Sequence, residues 1–220
     1  ASSGTAADWS LGASSRFRAG GGIDEVVRRV LAWRKIGVTA YMCVIDASGL
    51  GVSLIQSNYT GIGSGLSAGG TGVFLHSRGA GFNLRAGHAN ELAPGNRPLH
   101  TLAPTLWTRS GQLDTLLGTR GGHLQPQLLL QMAALRMVAG LDAAAAQAAP
   151  RWTLDELAGT PPVRVEPGFP EGLVDRGHSV EVTSGPMEGW GPVSVIEVDA
   201  GDRRTGAADP RVSTAAVVAD

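Results

Sequence analysis

A single cysteine, Cys43, in 220 residues excludes an internal disulfide framework. Charge is also sparse. Asp, Glu, Lys and Arg make up 17% of the chain, the net charge is −1, and the arginines are scattered, with Arg28–Arg29 and Arg203–Arg204 as isolated pairs. Without a basic patch, no nucleic-acid partner is expected. No apolar run approaches the length of a membrane span, so no membrane partner is expected either. A positively charged start followed by an apolar block is missing at Ala1, which excludes a visible signal peptide and leaves the cytoplasm as the expected location. The start on Ala rather than Met points to trimming or to a fragment.

Several chemistries are excluded in the same way. His76, His88, His100, His123 and His178 are widely spaced, with no HExxH or paired-ligand pattern, so no metal site is expected. The glycine-rich stretch Gly61–Gly72 has no lysine for a Walker loop, and Leu66 stands where a dinucleotide fingerprint needs its third glycine. No cofactor is therefore expected. The bland reading of that stretch, a tight loop passing close to other backbone, is preferred to a phosphate site. No GxSxG elbow is present. Cys43 alternates with Tyr41 and Ile45 along a strand and reads as a small packing residue.

What the chain does have is glycine: 32 residues, about twice the usual share, with no G-X-Y period. With 43% apolar residues, this describes a globular protein with many tight turns. Residues 1–21 read as a flexible lead-in. Ile23, Val26, Val27, Val30 and Leu31 then recur at helical spacing, giving an amphipathic helix over Ile23–Ile36 that stops at Gly37. Strands are predicted over Thr39–Asp46 and Val52–Ser57, joined by hairpin chemistry at Ala47–Gly51. Further strands are predicted at Gly72–His76, Thr101–Thr108 and Leu113–Gly118.

A helix is predicted from Gln125 to Val138, with Pro126 in its first turn and Gly140 as its stop. Asp142 caps a short alanine-rich helix ending before Pro150. Val163–Glu166, Ser179–Thr183 and Val193–Val198 read as strands, with a short helix near Glu171–Arg176. Strands, two adjacent helices, then strands again imply an α+β layered fold. Gly121-Gly122, between a strand and a helix, can expose consecutive N–H groups to an anion or a developing oxyanion, although strand-to-helix turns also use glycine for steric reasons.

Taken in order, Thr39-Ala-Tyr-Met-Cys-Val-Ile-Asp46, Gln56-Ser-Asn-Tyr59, Gly63-Ser-Gly65, Pro94-Gly-Asn-Arg-Pro98, Leu102-Ala-Pro104, Gly121-Gly122, Ala149-Pro-Arg151 and Ala208-Asp-Pro-Arg211 resemble the small subunit of the γ-glutamyltransferase family. Within it the wording SLIQSNY and GGHLQPQ is most similar to the broad bacterial γ-glutamyltransferase-like branch. The resemblance implies an N-terminal nucleophile hydrolase, an αββα four-layer sandwich of which this chain is the small-subunit half. Residues 1–38 would then be the end of a large-subunit region or a linker, and residues 39–220 the small-subunit domain.

By the same resemblance, cleavage of the Val38–Thr39 bond frees Thr39 as the nucleophile, with its own α-amine as general base. Ser57 matches a threonine that supports the nucleophile, and Gly121 and Gly122 match the oxyanion-hole glycines. Substrate contacts are implied at Tyr59, Arg78, Gly81, His100 and Thr101. Gly81 stands where relatives that recognise a glutamyl α-amine carry an aspartate. Tyr59 replaces an asparagine, and His100 and Thr101 replace a pair of serines. These departures imply an amide or acyl substrate other than glutathione. The large subunit of the same precursor is the implied protein partner. Arg97 and Arg151 read as structural residues rather than catalytic ones. Two alternatives stay open: an uncut, non-catalytic scaffold half, and C–C bond hydrolysis of the kind attributed to relatives in alkylproline antibiotic pathways.

Overall fold

The computed structural model describes residues 40–154, 161–213 and 215–218. Thr39, the expected helix at Ile23–Ile36 and the expected domain boundary at residues 38/39 lie outside the described residues.

Strands β1 (Ala40–Ile45) and β2 (Gly51–Gln56) form an antiparallel hairpin in which Tyr41 faces Ile55 and Cys43 faces Ser53. The turn is built by Asp46. Its Oδ1 accepts from Ser48 N at 2.9 Å, Ser48 Oγ at 2.7 Å and Leu50 N at 3.0 Å. Gly49 supplies the positive φ, +87°, that lets the chain reverse. The glycine loop beyond β2 carries the two-residue strands β3 (Ser67–Ala68) and β4 (Val73–Phe74). Gly63 lies so near the next pass of the chain that a Cβ there would sit 2.3 Å from the Leu75 carbonyl oxygen. The preferred reading of that loop, close approach of backbone to backbone, is what the structure displays.

β5 (Thr105–Arg109) and β6 (Gln112–Thr119) form a second hairpin. After β6 come α1 (Gln125–Ala133) and α2 (Ala143–Ala148). The strands β7 (Trp152–Thr153), β8 (Val163–Val165) and β9 (Val180–Val182) make a small mixed sheet. β10 (Val193–Val198) and β11 (Arg204–Ala208) return to the main sheet, whose order is β11-β10-β6-β5.

One face of that sheet packs on α1 and α2 through Leu117, Leu129, Met132, Ala143, Ala146, Val193 and Val195, all buried. The β1–β2 hairpin packs on the other face. Alternation along β6 serves both layers. Leu117 points to the helices, while Leu116 lies against Gly51 and Gly118 lies under the Tyr41 ring. A Cβ at Gly118 would come 2.0 Å from that ring, so only glycine admits it. Covered on both sides, Thr115–Thr119 are buried throughout. Cys43 is half-buried in the same interlayer space, 3.2 Å from Tyr41 Oη and 3.7 Å from the Ser194 carbonyl oxygen. Burial pushes its thiol up to about 12.

The expected elements differ from the observed ones where local chemistry intervenes. The strand expected over Thr101–Thr108 begins only at Thr105, because Pro104 has no N–H and Ala103 N donates to Gln125 Oε1 at 2.9 Å instead of joining a ladder. The helix expected to run to Val138 is α-helical only to Ala133. Ala134–Val138 forms a π turn closed by Ala139 N on the Ala134 carbonyl at 3.0 Å. The helix expected near Glu171–Arg176 shrinks to a 3₁₀ turn, Val174–Arg176, since Gly172 at φ +111° is not helical. Asp142 caps α2 as expected, its carboxylate accepting from Ala145 N at 2.7 Å. No helix among the described residues is long and apolar enough to cross a membrane.

Candidate active site

Antiparallel pairing places Ala40, the first residue of β1, opposite Gln56, the last residue of β2. The chain therefore enters β1 beside the point where it leaves β2 for Ser57. β2 also packs on β6, whose end at Thr119 leads into Arg120, Gly121 and Gly122. Ser57, Tyr59, Thr101, Gly121 and Gly122 meet around a cavity of about 650 Å³. Its wall is completed by Ile55, Thr60, Leu99 and Leu102 on one side and by Arg120, His123 and Gln125 on the other.

Each polar member is held by local structure. Ser57 Oγ accepts from Tyr59 N at 3.0 Å, a short turn that leaves the hydroxyl proton available to another acceptor. Tyr59 takes a positive φ of 80°, uncommon for a bulky residue, and its ring centroid lies 5.6 Å from the Arg78 guanidinium carbon. Gly121 has φ +132° and Gly122 φ +56°. Leu124 N closes on the Gly121 carbonyl at 3.0 Å to begin the 3₁₀ turn Gly122–Leu124 that leads into α1. The first N–H groups of a helical run have no acceptor within it, so this corner can offer donors to an anion.

The diglycine corner is braced from behind. Thr119 Oγ1 is 2.7 Å from the Arg120 carbonyl oxygen and 3.2 Å from that of Pro192. Gly191 fits so tightly there that a Cβ would lie 2.0 Å from the Arg120 carbonyl oxygen. Arg151 donates to the Gly191 carbonyl at 2.7 Å and to the Trp190 carbonyl at 3.1 Å. Trp190 in turn packs on Leu124 and Leu128 at the start of α1. Arg151 thus holds structure, as its sequence context implied.

The remaining candidates are dispersed. Gly81 and His100 do not line the cavity, and His100 is exposed. A Cβ at Gly81 would press on the Leu99 carbonyl oxygen at 3.3 Å, so the glycine lets the Leu99 segment close over it. Arg78 lies one layer behind the wall, donating to Thr101 Oγ1 at 3.2 Å. Sequence reasoning passed over Arg120 and His123 as wall residues. The only available signal was that they flank the diglycine. Among the described residues no group of three or more His, Cys, Asp or Glu side chains is placed to hold a metal ion.

A family model described as gamma-glutamyltranspeptidase matches residues 14–219. The chain belongs to the γ-glutamyltranspeptidase family. It is 38% identical over 185 residues to the glutathione hydrolase-like YwrD proenzyme of Bacillus subtilis, an alignment covering 81% of this chain and 35% of the relative. It is 34% identical over 186 residues to the oxamate amidohydrolase proenzyme of Klebsiella pneumoniae, covering 82% of this chain and 35% of that protein. The chain thus spans about a third of the length of these curated relatives. Among solved structures, cephalosporin acylase from Bacillus halodurans superposes with a TM-score of 0.73 at 36% identity, over 82% of this chain and 34% of that one. The α+β fold is that of the N-terminal nucleophile hydrolases. The β1–β2 hairpin, the main sheet and the α1–α2 layer are the parts of the αββα sandwich that the described residues build.

Proposed function

We propose that the protein acts as an amide hydrolase or acyl transferase of the N-terminal nucleophile type, with Thr39 as nucleophile after scission of the Val38–Thr39 bond. The observation that carries this reading is the convergence of Ser57, Gly121 and Gly122 on one cavity, at the end of the sheet where β1 begins. In the proposed reaction the Thr39 hydroxyl oxygen attacks the amide carbonyl carbon and its proton passes to the Thr39 α-amine. The N–H groups of Gly121 and Gly122 hold the oxyanion of the tetrahedral intermediate. Collapse breaks the C–N bond, and the α-ammonium returns its proton to the departing amine. Water or an acceptor amine then attacks the threonyl ester and regenerates the enzyme. Ser57, with its hydroxyl proton uncommitted to Tyr59, supports the nucleophile by donating to it.

The substrate in this reading is an amide or acyl compound other than a γ-glutamyl one. No Asp or Glu lines the cavity among the described residues, so a substrate ammonium would have no counter-charge there, and a desolvated cation without a partner is costly. Two relatives named as proenzymes and the one-third coverage support a large subunit of the same precursor as partner.

The test is the intact mass and N-terminal sequence of the purified full-length protein. A subunit beginning Thr39-Ala40-Tyr41 is expected, and Thr39→Ala abolishes it. If no such species forms on prolonged incubation, the uncut scaffold reading replaces this one.

A further inference from the structure

Two glutamines show how this fold holds a passing chain. Gln131 on α1 donates through Nε2 to the Trp152 carbonyl at 2.8 Å and accepts from Trp152 N at 2.9 Å. Gln127, one turn earlier, does the same to Leu154, at 2.9 and 2.8 Å. A carboxamide matches a peptide group donor to acceptor, so each side chain grips both polar groups of one residue.

Gln56 is a third such carboxamide, with no chain in its grip among the described residues. It is 8% exposed, and neither Nε2 nor Oε1 has a hydrogen-bond partner. The other buried glutamines each use an amide atom, Gln125 toward Ala103 N and Gln147 toward the Ala207 carbonyl. A buried amide left wholly unpaired is costly, so a fold that retains one points to a group the described residues do not supply. Asn58, 2% exposed, also has an unpartnered Nδ2.

Placement selects the occupant. Gly51 and Ile55 of β2 face β6 and the cavity, so alternation turns Gln56 to the opposite side of the hairpin, away from the substrate space. Gln56 pairs with Ala40, at about 5 Å between Cα atoms. Chain connectivity keeps Val38 within about 7 Å of Ala40. The same register, continued, sets Val38 opposite Asn58, and the positive φ of Tyr59 ends the strand just beyond. The peptide groups within reach of these two amides include those that lead into Thr39.

We propose that Gln56 is a positioning residue for scission, gripping the main chain of Gly37–Val38 as Gln127 and Gln131 grip theirs, with Asn58 as a further donor. The inference rests on the Val38–Thr39 cut proposed above and names what holds that bond. In the cut, the Thr39 hydroxyl oxygen adds to the Val38 carbonyl carbon, and the C–N bond breaks as its nitrogen takes the hydroxyl proton. Water then hydrolyses the ester, leaving a Val38 carboxylate. A carbonyl held in one place is already near the geometry of attack.

Gln56→Leu nearly keeps the side-chain volume and removes the grip. In the full-length protein it is expected to slow formation of the subunit beginning Thr39-Ala40-Tyr41 by roughly 10-fold or more. The subunit, once formed, keeps its kcat and KM on amides. Scission at the wild-type rate overturns the proposal. Hydrogen exchange reads the grip without chemistry. In the uncut Thr39→Ala protein, adding Gln56→Leu should speed exchange of residues 37–39 roughly 10-fold and leave Val52–Ile55 unchanged. Faster exchange along the whole hairpin makes Gln56 merely structural, and the proposal falls. Unaltered exchange at residues 37–39 means that solvent or another segment satisfies the amide, which also overturns it. If the wild-type chain is never cut, the catalytic reading falls, and exchange alone decides whether Gln56 holds this segment.

Discussion

Arg151 and Asp209 stand 58 positions apart and meet at 2.5 Å with side chains 2% and 0% exposed. Asp209 also accepts from Val193 N at 2.9 Å and Arg211 N at 3.0 Å, and Arg211 donates to Glu166, Gln147 O and Ala149 O. The short motifs Ala149-Pro-Arg151 and Ala208-Asp-Pro-Arg211 are therefore two halves of one buried network. Through Gly191 that network braces the Thr119–Arg120 strand end on which the diglycine stands. Burial draws the Arg151 pKa down, and the carboxylates facing it hold it charged. For Glu166 burial works the other way, but the bonds from Arg211, Met187 N and Arg151 N outweigh it and leave its pKa lowered.

Breaking this pair from one side strands the other charge in the interior. Arg151→Met is expected to cost about 3–5 kcal/mol, and Asp209→Asn a comparable amount. Urea unfolding checks both. A shift of the midpoint within error would mean that the network contributes nothing net.

How much of this was legible before folding varied by residue. Val193–Val198, a run of β-formers, coincides with β10. β11 was not anticipated, because Arg204–Ala208 holds glycine and two alanines and becomes a strand only by pairing along β10. The convergence of Ser57 with Gly121 and Gly122 depends on β2 packing against β6, a contact between layers that no local spacing encodes. That Arg78 is buried with no carboxylate partner among the described residues was equally hidden, since side-chain partners are read only once the chain is folded. Family register, rather than periodicity, drew attention to position 78.

Cys43 and Tyr41 set an alkaline limit. Burial pushes the thiol up to about 12 from 9.0 and raises the phenol as well. Both groups fold best in their protonated forms, so their contribution is complete below pH 9 and is lost as pH rises beyond it. The urea midpoint should be flat from pH 7 to 8.5 and fall above pH 9, more shallowly in Cys43→Ala. At pH 8 burial keeps the thiol protonated, so iodoacetamide should alkylate the native protein far more slowly than the urea-unfolded chain. Equal rates would contradict the assigned environment.

The diglycine corner separates strain from chemistry. Gly121 sits at φ +132°, where a Cβ would also press on Leu128 Cδ1 at 3.2 Å, whereas Gly122 at φ +56° faces open space. Gly121→Ala should move its peptide away from the cavity. The expected loss is roughly 10²–10³ in kcat with little change in KM. Gly122→Ala keeps its surroundings and should cost stability alone, about 1–2 kcal/mol for a left-handed alanine. If both variants retain full kcat, the corner does not hold the oxyanion.

Placing an aspartate at position 81, where the family resemblance implies one, should not create glutamyl recognition. Gly81 ends the 3₁₀ turn Arg78–Gly81, and in such a turn residues three apart lie on the same side. A carboxylate there would fall beside Arg78 and neutralise it before it could meet a substrate ammonium. The added Cβ would also press on the Leu99 carbonyl oxygen, displacing a wall residue of the cavity. Gly81→Asp is therefore expected to leave γ-glutamyl-p-nitroanilide hydrolysis at background, with any change in melting temperature traceable to Leu99. Appearance of γ-glutamyl hydrolysis in this variant would show instead that the glutamyl pocket is intact and lacks only its acid.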